Sequence, residues 1–242
     1  MAGVDPTTAA RKQEVRDRVW SVLQRRKAAR FPGARGRIPN FVGAERAAER
    51  LAELPEWNHA GVLKANPDAP QLPVRARALE EGKVVYMAVP RLRAAKPFLL
   101  LDPGRLEVPP RRDASIRGAS EAGRPVDLGH MRRIDLVVCG TVAVNREGVR
   151  VGKGGGFSDL EFALLVERGL VEASTLIATT VHPLQVLDED LPETEHDFRV
   201  DVVITPEDIV RCGRSRRPAG ILWDHLDEQK IAEIPALARM VE

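Results

Sequence analysis

One stretch limits what this chain can fold into more than any other: Arg150-Val151-Gly152-Lys153-Gly154-Gly155-Gly156-Phe157-Ser158-Asp159, followed by Leu160, Phe162, Ala163, Leu164 and Leu165 at helical spacing. Upstream lies an apolar, β-rich run from Ile134 to Val144. The pattern reads as strand, glycine-rich turn, helix start. Four glycines within five residues, at 152 and 154–156, leave little side-chain bulk, so backbone N–H groups can approach a ligand closely. Those amides, with the positive end of the following helix, form an anion site. Arg150 and Lys153 add positive charge where phosphate oxygens would lie. Asp159 is suited either to capping the helix or to holding a magnesium ion. The same glycines also suit a tight connection with no ligand. No Gly-Lys-Ser/Thr closes the loop, and its spacing is not the dinucleotide fingerprint.

The remaining pattern predicts an α/β fold: one doubly wound, mostly parallel sheet with flanking helices, in a single domain over 1–242. A helical N-terminal portion covers 1–55, and the sheet core with its tail covers 56–242. A helix is expected from Thr7 to about Ala29, capped by Thr7 or Thr8, with Lys12 and Arg16 sharing one face. A second is expected over 40–53, stopped by Pro55. Strand 59–65, helix 72–81 and strand 83–90 form a parallel crossover unit. The segment 91–129 contains a short strand at 98–101, and its Pro- and Arg-rich part, 109–125, reads as an exposed excursion or lid. Further strands are expected at 174–181 and 200–206, and a helix around 226–234.

Composition narrows the function. Lys+Arg 37 against Asp+Glu 35 leaves a net charge of +2, which argues against a dedicated nucleic-acid binder. Cys139 and Cys212 supply neither a disulfide framework nor a zinc spacing and read as buried free thiols. No segment resembles a signal peptide or reaches membrane-spanning length, so a cytoplasmic location is expected. His182 is placed at a strand end. Glu195, His196 and Asp197 cannot all converge on one atom in an extended segment, so His196 reads as a turn residue, and His59 and His225 as structural. Asp201, in a valine-rich strand, calls for a cation, a metal or backbone amides. Arg91 and Arg93 follow a strand end and suit phosphate, a glutamate tail or plain surface. No nucleophile motif is present, which favours electrostatic phosphate handling.

Taken together, several pieces resemble the 5-formyltetrahydrofolate cyclo-ligase family, in particular its methenyltetrahydrofolate synthetase domain-containing branch. They are Lys12-x-x-x-Arg16, Arg37-Ile38-Pro39-Asn40-Phe41, Lys64-Ala65-Asn66-Pro67-Asp68, Pro90-Arg91-Leu92-Arg93, the glycine loop, Glu195-His196-Asp197 with Asp201 and Thr205-Pro206, and Gly220-Ile221-Leu222-Trp223. The resemblance implies a fold similar to the NagB/RpiA/CoA transferase-like group. It implies conversion of 5-formyltetrahydrofolate to 5,10-methenyltetrahydrofolate with ATP and Mg. It assigns ATP phosphates to Lys12, Arg16, Arg150, Gly152, Lys153, Gly154, Gly155 and Gly156, with Arg150 and Lys153 as the catalytic charges. Magnesium falls to Asp159, with Asp201 helping, and substrate to Gln71, Phe157 and Arg91. Two departures stand out: Phe157-Ser158-Asp159-Leu160 replaces the family's two tyrosines and Asp-Arg, and Gln71 stands near its folate-contacting glutamate. These departures keep open a nucleotide or folate binder without turnover. An RNA-associated module ranks last.

Overall fold

The computed structural model describes residues 5–106, 109–213 and 216–241. Met1–Val4 of the N-terminal reading, and Arg214, Ser215 and Glu242 of the tail, lie outside the described residues. In chain order the helices are α1 (Pro6–Arg25), α2 (Ala44–Ala52), α3 (Pro55–His59), α4 (Leu72–Glu80), α5 (Pro110–Asp113), α6 (Ile116–Ala122), α7 (Phe157–Glu167), α8 (Glu228–Glu233) and α9 (Pro235–Val241). The strands are β1 (Val62–Ala65), β2 (Val84–Ala88), β3 (Phe98–Leu101), β4 (Arg124–Val126), β5 (Leu136–Cys139), β6 (Ala143–Asn145), β7 (Arg150–Val151), β8 (Leu176–Thr180), β9 (Val186–Leu187), β10 (Val202–Ile204) and β11 (Ile209–Arg211).

Eight strands form the main sheet in the order β11-β10-β8-β5-β1-β2-β3-β4. The five from β10 to β2 are parallel, while β11, β3 and β4 add antiparallel edges. The first parallel strand in sequence lies second from the end of this block, so chain direction across the sheet reverses between β1 and β5. Loops leaving the C-terminal ends of those two strands therefore diverge to opposite faces, and the gap between them is where open α/β sheets receive ligands.

Alternating side chains cover both faces. Leu63, Ala65, Leu136 and Val138 pack with α2 and α4, whereas Val62, Val137 and Cys139 pack with Phe162, Leu164 and Leu165 of α7. The doubly wound expectation holds, with differences at the edges. Asp5, not Thr7 or Thr8, caps α1, accepting the N–H groups of Thr7 and Thr8. Pro55 opens α3 rather than only stopping a helix, because proline's fixed φ suits a first turn. The 134–144 run divides: β5 joins the main sheet, while β6 pairs with β7 and β9 in a separate three-stranded sheet. The strand feeding the glycine loop is thus β7. The 109–125 segment is not an open lid. It holds α5, α6 and the start of β4, with Ala114 and Ala119 fully buried.

Asp201, expected near magnesium, lies just before β10, at the N-terminal end of the parallel strands. Its carboxylate accepts the Ile177 N–H at 2.8 Å and pairs with Arg217 at 2.8 Å. Asp135 does the same work before β5, accepting the N–H groups of Gly61 and Val62 at 2.9 Å each. Both carboxylates pin one strand's start to its neighbour. Asp201→Asn should therefore lower stability by about 1–3 kcal/mol, measured by urea unfolding, while nucleotide affinity stays unchanged.

Candidate functional site

The glycine loop stands above the β1–β5 gap. Lys153 extends from it to Asp68, on the loop leaving β1, at 3.4 Å. On the β5 side, a methyl group at Gly140 would stand 3.0 Å from the Asp68 carboxylate, so the two strand ends and the loop meet here. Gly154 has φ +104 and Gly156 φ +68, a left-handed backbone that other residues resist. Gly156 sits immediately before α7, so the free amides of the first turn face the loop.

Helix α1 brings two cations to the loop. Arg16 Nε donates to the Gly152 carbonyl at 2.7 Å, and a methyl group at Gly154 would meet its guanidinium carbon at 3.4 Å. Lys12 Nζ contacts the Asp197 carboxylate at 2.5 Å. Lys12, Arg16 and the 152–156 loop are therefore one cluster, although α1 and the loop are far apart in sequence.

Arg150 differs from expectation. It is only 3% exposed and points beneath the loop, 2.5 Å from Asp159 and 3.9 Å over the Phe198 ring. It supports the loop from below instead of facing phosphate. Asp159 correspondingly does not cap α7; it pairs with Arg150. Burial pushes the Asp159 carboxyl above the usual carboxylate range; Arg150 opposes this and the negative charge of Asp197 adds to it. Burial acts the same way on Asp197, but Lys12, the Thr194 N–H and Arg150 together outweigh it and hold that carboxyl low.

Sequence reasoning missed Asp197 as the second carboxylate here, and it missed a polar network beneath the site. Lys64, the inward residue of β1 on the α7 face, is 1% exposed. It donates to Glu161 at 2.6 Å and to the Asn66 side chain at 2.8 Å. Asn66 in turn donates to Ser158 at 3.3 Å. Arg75 donates to the carbonyls of Asn66, Pro67 and Asp68, clamping the β1 exit loop, and burial lowers it to about 10. A lysine inside an apolar strand was the available signal. His225 was read as structural without a partner, yet its Nδ1 lies 3.4 Å from His196 Nδ1. His196, a turn residue as expected, also meets Thr194 at 3.0 Å, and burial holds its imidazole low. Together with Asp159, Leu160, Ala163 and Ile221, the two imidazoles line a small pocket against α7. His182 caps the short turn after β8.

The substrate candidates divide in exposure. Gln71 is wholly buried; its amide donates to Thr180 at 3.3 Å, and its carbonyl oxygen has no partner among the described residues. Arg91 is exposed, while Phe157 is half-buried with Lys230 3.8 Å over its ring. Among the described residues no group of three or more His, Cys, Asp or Glu is placed to hold a metal ion, and no helix is long and apolar enough to cross a membrane. Both cysteines are free thiols, Cys139 buried and Cys212 half-buried, and burial raises both.

Fold and site together define an α/β protein with a glycine loop and a cluster of paired charges at the sheet's switch point. The family model of the 5-formyltetrahydrofolate cyclo-ligase family matches residues 8–206, and the chain belongs to that family. It is 37% identical to the methenyltetrahydrofolate synthase domain-containing protein of Bos taurus over 97% of this chain, and 38% identical to that of Mus musculus over 96%. The chain spans 63% of the length of each of these relatives. Among solved structures, the Aquifex aeolicus 5,10-methenyltetrahydrofolate synthetase aligns with TM-score 0.54 at 23% identity, covering 85% of this chain and 96% of that one. That likeness concerns the fold.

The buried network yields a direct test. Lys64→Met leaves the Glu161 carboxylate without its cation and should cost about 3–5 kcal/mol in urea unfolding, whereas the double change Lys64→Met with Glu161→Leu should recover most of that loss.

Proposed function

We propose that this chain converts 5-formyltetrahydrofolate to 5,10-methenyltetrahydrofolate with ATP and Mg, or carries out a closely related phosphorylation-driven cyclisation. The observation that carries this reading is the convergence of Arg16 on the glycine loop, 2.7 Å from the Gly152 carbonyl, with Lys12 alongside on the same helix face. In such a reaction the formyl oxygen attacks the γ-phosphorus of ATP and ADP leaves. N10 then attacks the activated carbon, and inorganic phosphate departs as N10 loses its proton. What the protein supplies is position and charge.

Lys12, Arg16 and Lys153 are the cations that can meet the phosphates from above the loop, and the amides of 152–156 cradle them from below. Arg150 acts at one remove, fixing Asp159. Magnesium usually binds through one or two carboxylates, completed by phosphate oxygens and water. Asp159 and Asp197 fit that requirement: they interact electrostatically in a buried setting, where a divalent cation would relieve their repulsion. Magnesium bound there would neutralise charge on the transferring phosphoryl group. Asp201, already engaged in the sheet, is replaced by Asp197 in this assignment.

The folate side is less well supported: Gln71, near where the family has its folate-contacting glutamate, is wholly buried with its amide on Thr180, and an amide lacks the charge of a carboxylate. A binder without turnover remains the second reading, and it is favoured by this substitution in particular.

The test is absorbance of the methenyl product with 5-formyltetrahydrofolate, Mg and ATP, for the wild type and for Lys153→Ala. ATP-dependent product that falls about 10²-fold or more in the variant is the expected outcome for a lost phosphate-stabilising charge. Absence of product, with ATP still binding by calorimetry, would remove the folate reaction and leave the nucleotide site standing.

A further inference from the structure

Asp and Glu make up 35 of the 242 residues, yet the run 18–44, between Asp17 and Glu45, contains neither. Three of its cations find carboxylates around it: Arg18 pairs with Glu189, Arg30 with Glu45 at 3.2 Å and Arg35 with Asp17 at 3.9 Å. The other four, Arg25, Arg26, Lys27 and Arg37, make no ion pair or side-chain hydrogen bond among the described residues, and all four are exposed. Backbone bonds fold this run onto the C-terminal half of α1. The N–H groups of Lys27 and Ala28 donate to the carbonyls of Gln24 and Leu23 at 3.0 and 2.9 Å. Arg30 N–H donates to the Asn40 carbonyl and Val42 N–H to the Ala28 carbonyl, each at 2.9 Å. The Trp20 indole donates to the Arg37 carbonyl at 3.0 Å. The unpaired cations therefore belong to one ordered turn.

That turn also displays an aromatic ring. Phe31 is 93% exposed, although the Asn40 amide holds its carbonyl at 2.7 Å. Pro32, next in sequence, and Val42, bonded to Ala28, are exposed as well. The other aromatics of the run, Trp20 and Phe41, are buried. The negative end of the α1 dipole accommodates Arg25 and Arg26, but it gives no account of Arg37 or of an uncovered ring. A second copy of this surface would be repelled by its own charge, so the partner is anionic. Single-stranded nucleic acid is held by stacking successive bases on several aromatics. Here one ring is accessible, and the side chains exposed with it, Pro32 and Val42, are aliphatic. A cationic surface with a bare apolar tip matches an anionic bilayer instead. Headgroup oxyanions meet the cations, while ring and aliphatic groups enter the boundary between headgroups and acyl chains.

We propose that Arg25, Arg26, Lys27 and Arg37, with Phe31 between them in the run, form a docking surface for the face of an anionic lipid bilayer. The contact is peripheral: the cations hold headgroups, Phe31 inserts, and no segment crosses. Arg25 lies about 13 Å along the helix axis from Arg16, whose guanidinium meets the glycine loop, so docking needs neither Arg16 nor Lys12. It is independent of the reaction proposed above.

The experiment is sedimentation of the full chain with vesicles of phosphatidylcholine alone or mixed with phosphatidylserine, at low and high salt. Anisotropy of a single-stranded oligouridylate runs beside it. Wild type is compared with the double change Arg25→Glu with Arg26→Glu and with Phe31→Ala, exposed positions whose melting temperatures report intact folding. Wild type should bind the mixed vesicles at low salt, ignore the neutral ones and be released by high salt. The charge reversal should weaken binding at least about tenfold, and Phe31→Ala about tenfold. Absence of vesicle binding would overturn the proposal, as would binding that neither change weakens. Loss in the charge variant with full binding by Phe31→Ala would mark plain electrostatic adsorption and overturn it too. Binding of the oligouridylate in place of vesicles would assign the surface to nucleic acid and overturn the bilayer. Methenyl formation should be the same in both variants, and its failure in the wild type would count against the folate reaction alone, leaving the vesicle result to decide the docking surface.

Discussion

Arg150 carries a charge with almost no access to water, and such a charge is tolerable only where partners surround it. Here they come from two stretches of chain remote from its own strand. Asp159 approaches from the first turn of α7, Phe198 offers its ring face from the segment before β10, and the guanidinium itself rises from β7. Stacking of Phe198 on Phe162 at 4.4 Å extends the contact into the core. The glycine loop is thus suspended between two elements locked together by one side chain. Its backbone freedom is confined to the residues that need it. A loop of this composition would otherwise sample many shapes, and a cradle for phosphate must hold few.

Electrostatics around that anchor are layered. Arg150 and Asp159 form the lower layer, Lys12 and Asp197 a flanking one with the buried Arg16 beside them, and Lys153 stands nearest solvent. Each inner cation already has a carboxylate, so the cluster is close to neutral without a ligand and the fold does not depend on one.

Local pattern made part of this legible. The glycine loop, the α7 apolar spacing and the shared face of Lys12 and Arg16 all follow from short-range rules, and the structure keeps them. The choice between Asp197 and Asp201 did not. They lie four residues apart, and Asp197 is set by the turn it closes with Thr194, whereas Asp201 is set by where β10 begins to pair with β8. The 134–144 run reads as uninterrupted β because alternation says nothing about which sheet a strand joins. The 109–125 segment looked open because its prolines and arginines dominate the composition, while two buried alanines, Ala114 and Ala119, hold it in place. His225 meets His196 and Lys230 meets the Phe157 ring only because the tail folds back onto α7, a long-range event with no local signature.

The separation between α1 and its partners has a consequence for how the molecule comes into being. Arg16 meets a carbonyl 136 positions later, and Lys12 meets a carboxylate 185 positions later. During synthesis the first helix emerges with its two cations exposed, and it must wait for most of the chain before their counterparts exist. Contacts so distant in sequence form late, once the intervening sheet has closed the loop between them. The charge cluster around the glycine loop is therefore a property of the finished molecule and of no earlier stage. The ion pair between Lys12 and Asp197 would report the completion of folding as faithfully as any spectroscopic probe of the core.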